Sequence, residues 1–156
     1  MNLETKHWDW TQEINVRGPW LCSKEAASLM VGRQGKIVNI SSLGSHRVME
    51  TYTSVGVSKA ALEALTRYLA VELAPRGILV NCVSGGVVMT EALNHFPNKD
   101  EMIAASEQST PAGRMVTPED IAKTVAFLCT EDAEMIVGQT IIVDGGMSIP
   151  WTNISH

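Results

Sequence analysis

The sequence predicts an α/β domain in which a three-stranded parallel sheet is covered by helices on both faces. Short apolar runs rich in Val and Ile, which are typical of buried strands, occur at Lys36–Ser41, Ile78–Val83 and Gln139–Val143. Helical patterns separate these runs, and strands that alternate with helices form right-handed crossovers and hence a parallel sheet. Because three strands are few for such a sheet, we expect an exposed strand edge and a domain of which part is missing.

Composition and charge exclude several classes of protein. The 156 residues are 45% hydrophobic and 19% charged, which indicates a globular chain and not a disordered one. Lys and Arg number 12 against 17 Asp and Glu, so the basic surplus of a nucleic-acid-binding protein is absent. No apolar run approaches the roughly 18 residues of a membrane span, and the polar start of the chain carries no secretory signal pattern. The dispersed cysteines Cys22, Cys82 and Cys129 argue against a disulfide framework or a zinc site and favour the reducing cytoplasm.

The first predicted helix extends from Thr5 to about Val31 and is interrupted by Gly18-Pro19. Its expected buried residues are Ile14, Leu21, Leu29 and Met30. Because Pro19 has no N–H, the Asn15 carbonyl lacks the hydrogen-bond donor that a helix normally provides four residues later. Two interpretations remain open at this point, a kink with a solvated carbonyl and a carbonyl that holds a water in a site.

The remaining helices are predicted from apolar pattern and capping residues. A long Ala- and Leu-rich helix from about Thr51 to Ala74 is apolar on more than one side, so we expect the sheet and another element or subunit to bury it. The polar segment Glu91–Ser109 is expected to form short helices with mobile joints. Thr117 followed by Pro118 and acidic residues predicts the start of a helix that ends near Cys129.

A group of polar residues suggests chemistry at one end of the sheet. Tyr52 and Lys59 are seven residues apart, which on a helix is about 700° of rotation and places them on one face if the helix includes Tyr52. Ser42 follows Ser41 at the carboxyl end of a strand, where open α/β sheets build their sites. A nearby ammonium favours a phenolate, so Lys59 could tune Tyr52 for proton transfer, with Asn15 holding a relay water. Taken singly, a Tyr near a helix start more often packs and a Ser pair at a strand end is usually a cap or turn, while a solvated helix Lys is the alternative for Lys59. The geometry of the group favours chemistry.

The motifs together resemble the short-chain dehydrogenase/reductases. They are N-x-x-G-P at Asn15–Pro19, GKIVNISS, Y-x6-K, TPAGRMVTPEDIA and GQTIIVDGG, and the similarity runs from about Trp8 to Gly146. The segment SSLGSHRVMETYTSVGVSKAALEALTRYLAVEL is most similar to the Bacillus-type (type III) enoyl-acyl-carrier-protein reductases. Most members of the superfamily have Tyr four residues before the Lys. Here that position is Val55, and the seven-residue spacing of Tyr52 is the enoyl-reductase pattern.

The resemblance implies a role for each site residue. Tyr52 would hydrogen-bond the thioester oxygen, Lys59 would bind the nicotinamide ribose, and Asn15 would hold the relay water, whereas Ser42 stands where several enoyl reductases have a second Tyr. The resemblance implies cofactor contacts at a further set of residues, Gly85, Gly86, Val88 and Thr90. It further implies NADPH (NADH not excluded), an acyl-carrier-protein thioester substrate, a mobile cover over the acyl chain at 91–113, and a homo-oligomer, dimer or tetramer.

One expected motif is absent from the sequence. The resembled family begins with a strand and a T-G-x-x-x-G-x-G turn that holds the cofactor phosphates, and neither occurs in these residues. We therefore expect residues 1–156 to be the C-terminal catalytic and substrate part of one reductase domain, with an incomplete Rossmann-type, doubly wound sheet made of its last three strands. The isolated chain should bind NADPH weakly and be inactive. Alternatives are another short-chain reductase, such as a 3-ketoacyl reductase, and a non-catalytic association module.

Overall fold

The computed structural model describes residues 3–88 and 99–149, and its side-chain description omits residues 102, 105 and 106. The helices are α1 (Thr5–Gln12), α2 (Gly18–Met30), α3 (Thr53–Leu73), α4 (Lys99–Ser109) and α5 (Pro118–Leu128). A π-helical segment, Glu13–Arg17, joins α1 to α2, and 3₁₀ turns occupy Leu43–Ser45, Ala74–Arg76 and Glu131–Ala133. The strands are β1 (Gly35–Ser42), β2 (Ile78–Gly85) and β3 (Thr140–Val143).

The three strands form one parallel sheet in the order β1-β2-β3, which confirms the predicted fold class. Gly35 pairs with Ile78 at the start of the β1–β2 ladder and Ser42 pairs with Gly85 at its end. Within residues 3–88 and 99–149, β1 has a strand neighbour on one side alone. The expected exposed strand edge is therefore present along β1.

Helices cover both faces of the sheet. On one face, Ile78 and Val80 of β2 pack with Leu69 and Leu73 of α3 and with Ala27 of α2. On the other face, the side chain of Val83 packs with a smaller cluster around α5, namely Leu128, Ala133, Ile121, Val125, Val38 and Ile141. Because β2 is central, its side chains are buried on both faces, as its continuous apolar run predicts.

The prediction of buried residues in the first helix was largely wrong. Ile14, Leu21 and Leu29 are exposed, with accessible fractions of 52%, 38% and 75%. Only Met30 is partly buried against the core. The physical reason is that α2 meets its neighbours through the small residues Ser23 and Ala27, which allow close approach of the helix and turn the larger apolar side chains outward.

Helix α3 is covered by the sheet and by the first helix with its π-helical segment, and within the described part of the chain it is exposed on the side away from the core. Leu62, Leu69 and Leu73 face the core, as the pattern predicts. On the opposite side, accessible fractions reach 46% for Val57, 79% for Tyr68 and 78% for Val71. The first helix is thus a second covering element, as the apolar pattern predicts, and cover of the remaining exposed side by another subunit stays a prediction.

The predicted start of α5 is confirmed. Thr117 Oγ1 accepts a hydrogen bond from Asp120 N, and the Asp120 carboxylate accepts one from Thr117 N at 2.9 Å. Residues 99–109 form a single helix, and the first part of the predicted broken region, 91–98, lies outside the described residues. No helix found within residues 3–88 and 99–149 has both the length and the apolarity that a membrane span requires.

Candidate active site

A break in the first helix brings Asn15 to helix α3. The five residues Glu13–Arg17 adopt a π-helical conformation, and the Gly18 N–H reaches back five residues to the Glu13 carbonyl. Such segments widen a helix and often mark functional sites. The structure adds a contact that the sequence did not indicate, because Asn15 Nδ2 donates to Ser58 Oγ at 3.0 Å. Asn15 is therefore linked to the residue next to Lys59.

Lys59 is held at the carboxyl end of strand β1. Its Nζ donates to the Ile40 carbonyl oxygen at 2.8 Å. Partial burial lowers the pKa of Lys59 from the ordinary 10.5, with a small opposing influence from Cys82. An ammonium has three donors, and the hydrogen bond found among residues 3–88 and 99–149 uses one of them, which leaves Lys59 able to donate to further oxygens.

Tyr52 lies at the entrance of α3 and not inside it. The helix begins at Thr53, and Tyr52 is its N-cap residue, with φ −101° and ψ 11°. The one-face argument required the helix to include Tyr52, and it does not, although the Tyr52 carbonyl accepts the first helical hydrogen bond, from Gly56 N at 2.7 Å. The preceding residue, Thr51, has φ +60°, a strained conformation for a β-branched residue.

Ser42 ends β1 and begins the turn that leads toward Tyr52. Its Oγ accepts a hydrogen bond from Gly44 N at 3.2 Å and so caps the 3₁₀ turn Leu43–Ser45. The side chain is half-buried. The capping role that the sequence left open is therefore observed, and a chemical role for Ser42 stays a prediction.

The loop that follows β2 is shaped by close packing around its glycines. A Cβ on Gly86 would lie 3.0 Å from Asp144 Cβ, and one on Gly85 would lie 3.0 Å from Val88 Cγ2. Val88 forms an isolated parallel β-bridge with Val116. Thr90, the last predicted cofactor residue, lies outside the described residues.

A cluster around Glu63 was missed by sequence reasoning. Glu63 Oε1 accepts from Ser41 Oγ and from Ser45 Oγ, both at 2.6 Å, and Glu63 Oε2 lies 3.4 Å from His46 Nε2. The Glu63 side chain is only 7% exposed. A signal was available, because Asn39 and Ser41 alternate along an otherwise apolar strand and therefore share one face.

A cavity of about 270 Å³ opens beside Tyr52. It lies between the 44–49 turn and the first turns of α3, and its lining includes Val48, Met49, Val57 and Ala60. The lining surface is mainly apolar, and the Tyr52 phenol is joined by four further polar residues, a mixture that suits a small-molecule site: Ser45, His46, Arg47 and Thr53.

Comparison with known proteins identifies the family. A family model described as enoyl-(acyl carrier protein) reductase matches residues 1–148. The chain belongs to this family of short-chain dehydrogenase/reductases. Its members are oxidoreductases built on the Rossmann-type fold, and the parallel sheet with flanking helices described above is part of that fold.

Individual relatives span several activities of the short-chain reductases. The chain is 40% identical over 151 residues to 1-cyclohexenylcarbonyl-CoA reductase of Streptomyces collinus, covering 96% of this chain and 54% of the relative. It is 35% identical over 137 residues to the NADH-named enoyl-[acyl-carrier-protein] reductase of Aquifex aeolicus, covering 88% and 51%. The chain therefore spans about half the length of the curated relatives it matches.

Solved structures of the short-chain reductases agree with the fold. The Aquifex aeolicus enoyl-[acyl-carrier-protein] reductase superposes with a TM-score of 0.90 at 32% identity, over 97% of this chain and 59% of that one. A protein from Beutenbergia cavernae, described as an NAD(P)-dependent gluconate 5-dehydrogenase and containing NADP at low occupancy, gives a TM-score of 0.88 at 32% identity, over 94% and 59%.

Proposed function

We propose that the protein containing this chain reduces trans-2-enoyl thioesters carried by acyl carrier protein in fatty-acid synthesis, with NADPH as the cofactor. The observation that carries the proposal is the arrangement of Tyr52, the N-cap of α3, seven residues before Lys59, whose Nζ is anchored at the carboxyl end of β1. Val55, which is four residues before Lys59, has no hydroxyl to offer. A phenol at the Val55 position, the usual arrangement of ketone reductases, is thus unavailable.

The position of the phenol suits an enoyl thioester better than a ketone. A ketone receives hydride at the carbon that bears the reacting oxygen. An enoyl thioester receives it at C3, while negative charge develops on the thioester oxygen at C1. The proton or hydrogen-bond donor must then lie further from the hydride-accepting carbon, and the earlier position of Tyr52 provides that separation. The mainly apolar cavity beside Tyr52 supports an acyl group as the occupant.

Each site residue has a proposed task. Tyr52 hydrogen-bonds the thioester oxygen and stabilises the developing enolate. Lys59 keeps a positive charge near that phenol and lowers the cost of placing negative charge there. The Asn15 carbonyl holds a relay water that passes protons toward Lys59, and the Asn15 side chain fixes this geometry through Ser58. Ser42 shapes the turn and offers its hydroxyl beside the site.

The described residues fit a nicotinamide cofactor. Lys59 retains donors for ribose hydroxyls, since within the described part of the chain its Nζ donates to the Ile40 carbonyl alone. Close packing of Gly85 against Val88 and of Gly86 against Asp144 fixes the loop whose backbone is assigned to the nicotinamide. Val88 is assigned to the carboxamide, and Thr90 to the carboxamide or pyrophosphate. When bound, the cofactor supplies the hydride. NADH is the alternative to NADPH, because the Aquifex aeolicus relative is named for NADH.

The proposal extends to partners. Exposed Val57, Tyr68 and Val71 on α3 support a homo-oligomer in which a second copy covers this face. The phosphates and adenosine of the cofactor need a glycine-rich turn that these residues do not contain. We therefore propose that residues 1–156 serve as the catalytic part of a larger cytoplasmic enzyme. Tight NADPH binding by the isolated chain, measured by fluorescence titration, would contradict this.

The deciding experiment compares two thioesters with the full-length natural protein. Crotonyl and acetoacetyl thioesters, each on coenzyme A and on acyl carrier protein, are assayed with NADPH and with NADH. We expect reduction of the crotonyl thioester and little reduction of the acetoacetyl thioester. Ketone reduction without enoyl reduction would overturn the proposal in favour of a 3-ketoacyl reductase. Absence of both, together with self-association, would favour an association module.

A further inference from the structure

Glu63 is a buried carboxylate at the junction of strand β1, the 43–45 turn and helix α3. A carboxylate in such a position is costly unless hydrogen bonds compensate the lost hydration. Two hydroxyls provide them, because Ser41 Oγ and Ser45 Oγ each lie 2.6 Å from the same oxygen, Oε1. The other oxygen lies 3.4 Å from His46 Nε2 at the surface. The buried position of Glu63 thus holds a carboxylate, although an apolar side chain of the same volume could fill it.

The two hydroxyls belong to different parts of the molecule. Ser41 is part of strand β1, which its ladder with β2 already fixes. Ser45 ends the 3₁₀ turn Leu43–Ser45, where its Oγ also lies 2.8 Å from the Ser42 carbonyl and contacts His46 Nδ1. Glu63 therefore connects α3 and strand β1 to a turn that is also held by the buried Leu43 side chain and by the Ser45–Ser42 contact.

That turn lies directly against Tyr52. A Cβ on Gly44 would be 2.5 Å from Tyr52 Cε1, so the ring occupies the space above the Gly44 backbone. The Gly44 carbonyl in turn lies 2.7 Å from where a Cβ on Gly56 would stand, one helical turn beyond Tyr52. A shift of the turn by a few tenths of an ångström must therefore move the ring.

We propose that Glu63 is a positioning residue, which acts through Ser45 and Gly44 to hold the Tyr52 phenol in its reactive place. The inference rests on the proposed function for the identity of the reaction, and on the described contacts for the connection itself. Displacement of a reacting group by about 1 Å can cost as much as 100-fold in rate. Because Tyr52 acts on charge that develops only in the transition state, the loss should be in kcat more than in KM.

Four variants of the full-length natural protein separate positioning from simple structural support. E63M keeps the volume and removes the acceptor, whereas E63Q keeps a carbonyl oxygen for both hydroxyls. S45A removes the hydroxyl on the turn. Its matched control, S41A, removes the hydroxyl on the strand, which donates to the same Glu63 oxygen at the same distance. Kinetics on crotonyl thioester and the ¹⁹F resonance of 3-fluorotyrosine at position 52, assigned with Y52F, are the two readouts.

We expect E63M and S45A to lower kcat by about ten-fold to 100-fold with KM changed by less than about threefold, and to shift the Tyr52 resonance. E63Q and S41A should stay within about threefold of the natural protein and leave that resonance in place. Equal loss in S41A and S45A, equal loss in E63M and E63Q, or an unmoved resonance in both E63M and S45A would overturn the inference. If no enoyl thioester is reduced, the resonance still tests the connection, so failure of the proposed function is distinguishable. Should E63M not fold, the two serine variants decide.

Discussion

The ring of Tyr52 occupies the space that a side chain at position 44 would need. A Cβ built on Gly44 would lie 2.5 Å from Cε1 and 2.6 Å from Cδ1 of that ring. Gly44 does not adopt a positive φ, so its small size and not its backbone freedom explains the residue. The turn after β1 and the phenol are therefore one packed unit.

We expect Gly44→Ala to displace the Tyr52 ring and to lower kcat on crotonyl thioester by about ten-fold to 100-fold. The backbone can accept alanine, so the protein should still fold. Gly18→Ala is the control, because the one neighbour that its Cβ would meet among the described residues is the Glu13 carbonyl, at an ordinary 3.5 Å. Steady-state kinetics and thermal unfolding of both variants are the measurements, and full activity of Gly44→Ala would contradict the packing argument.

The sheet and helices were predictable because strong local signals coincide along the chain. Local sequence alone predicts a strand at ILVNCV, the end of the long helix at Pro75-Arg76-Gly77 and the start of a helix at Thr117. At the majority of their ends, the observed strands and helices differ from the predicted ones by no more than two residues. Such differences are usual at helix and strand ends.

Contacts between distant segments were much less predictable. Ile14, Leu21 and Leu29 are apolar in the first helix, yet Ser23 and Ala27 make the close contact, because shape complementarity and not hydrophobicity selects the contacting face. The Asn15–Ser58 bond needs the π-helical segment, whose exact residues Pro19 alone does not specify. The Tyr52–Lys59 spacing indicated the site, whereas the Glu63 cluster depends on a turn that the sequence left as a connection.

Helix α3 offers two tyrosines for comparison. Tyr52 is its N-cap residue, and Tyr68 lies on its exposed face. Removal of a positioned proton donor costs typically about 10²- to 10⁴-fold, so Tyr52→Phe should lose activity on crotonyl thioester by that amount. Tyr68 is 79% exposed, and Tyr68→Phe should retain activity within about twofold. The test is kcat/KM for each variant. Comparable activity of Tyr52→Phe and Tyr68→Phe would remove Tyr52 from the mechanism.

The lowered pKa of Lys59 predicts how stability depends on pH. Burial disfavours the ammonium in the folded state, whereas the unfolded chain keeps the ordinary pKa of 10.5. Between the folded pKa and 10.5 the unfolded state binds more protons, so the free energy of unfolding should rise with pH in that window. Below the folded pKa the penalty is fully present.

Lys59→Met should therefore lack this alkaline rise and be more stable than the natural protein at neutral pH, even though it loses activity. Urea unfolding of the cofactor-free protein at several pH values up to 10 is the measurement. Lys24→Met, at an exposed position of α2, is the control and should keep the natural pH dependence. Identical pH dependence in Lys59→Met and the natural protein would contradict the assignment.

The cysteines should differ in reactivity. Burial, aided by the charge of Glu63, raises the pKa of the Cys82 thiol to about 11, and its side chain is inaccessible. Cys22 and Cys129 are exposed. Alkylation with N-ethylmaleimide at pH 8, followed by peptide mass spectrometry, should label Cys22 and Cys129 well before Cys82. Rapid labelling of Cys82 in the folded protein would show that the α3 face of the sheet opens easily.

Two fully buried serines should respond to alanine in opposite directions. Ser58 Oγ accepts from Asn15 Nδ2 and donates to the Val55 carbonyl at 2.7 Å, so Ser58→Ala breaks both bonds and leaves a polar group unsatisfied. We expect a loss of about 1–3 kcal/mol in the free energy of unfolding. Across residues 3–88 and 99–149, Ser84 Oγ is the buried side-chain oxygen without a hydrogen-bond partner.

Ser84→Ala removes that unsatisfied hydroxyl and should leave the free energy of unfolding unchanged or raise it by about 1 kcal/mol. Ser84 lies on β2 opposite Ser41 of β1, on the face that carries the Glu63 cluster. Denaturant unfolding of the two variants in parallel is the measurement, since both delete one oxygen at a position with no accessible surface. A destabilisation by Ser84→Ala equal to that of Ser58→Ala would mean that Ser84 has a polar partner in the assembled protein, on the same face that positions Tyr52.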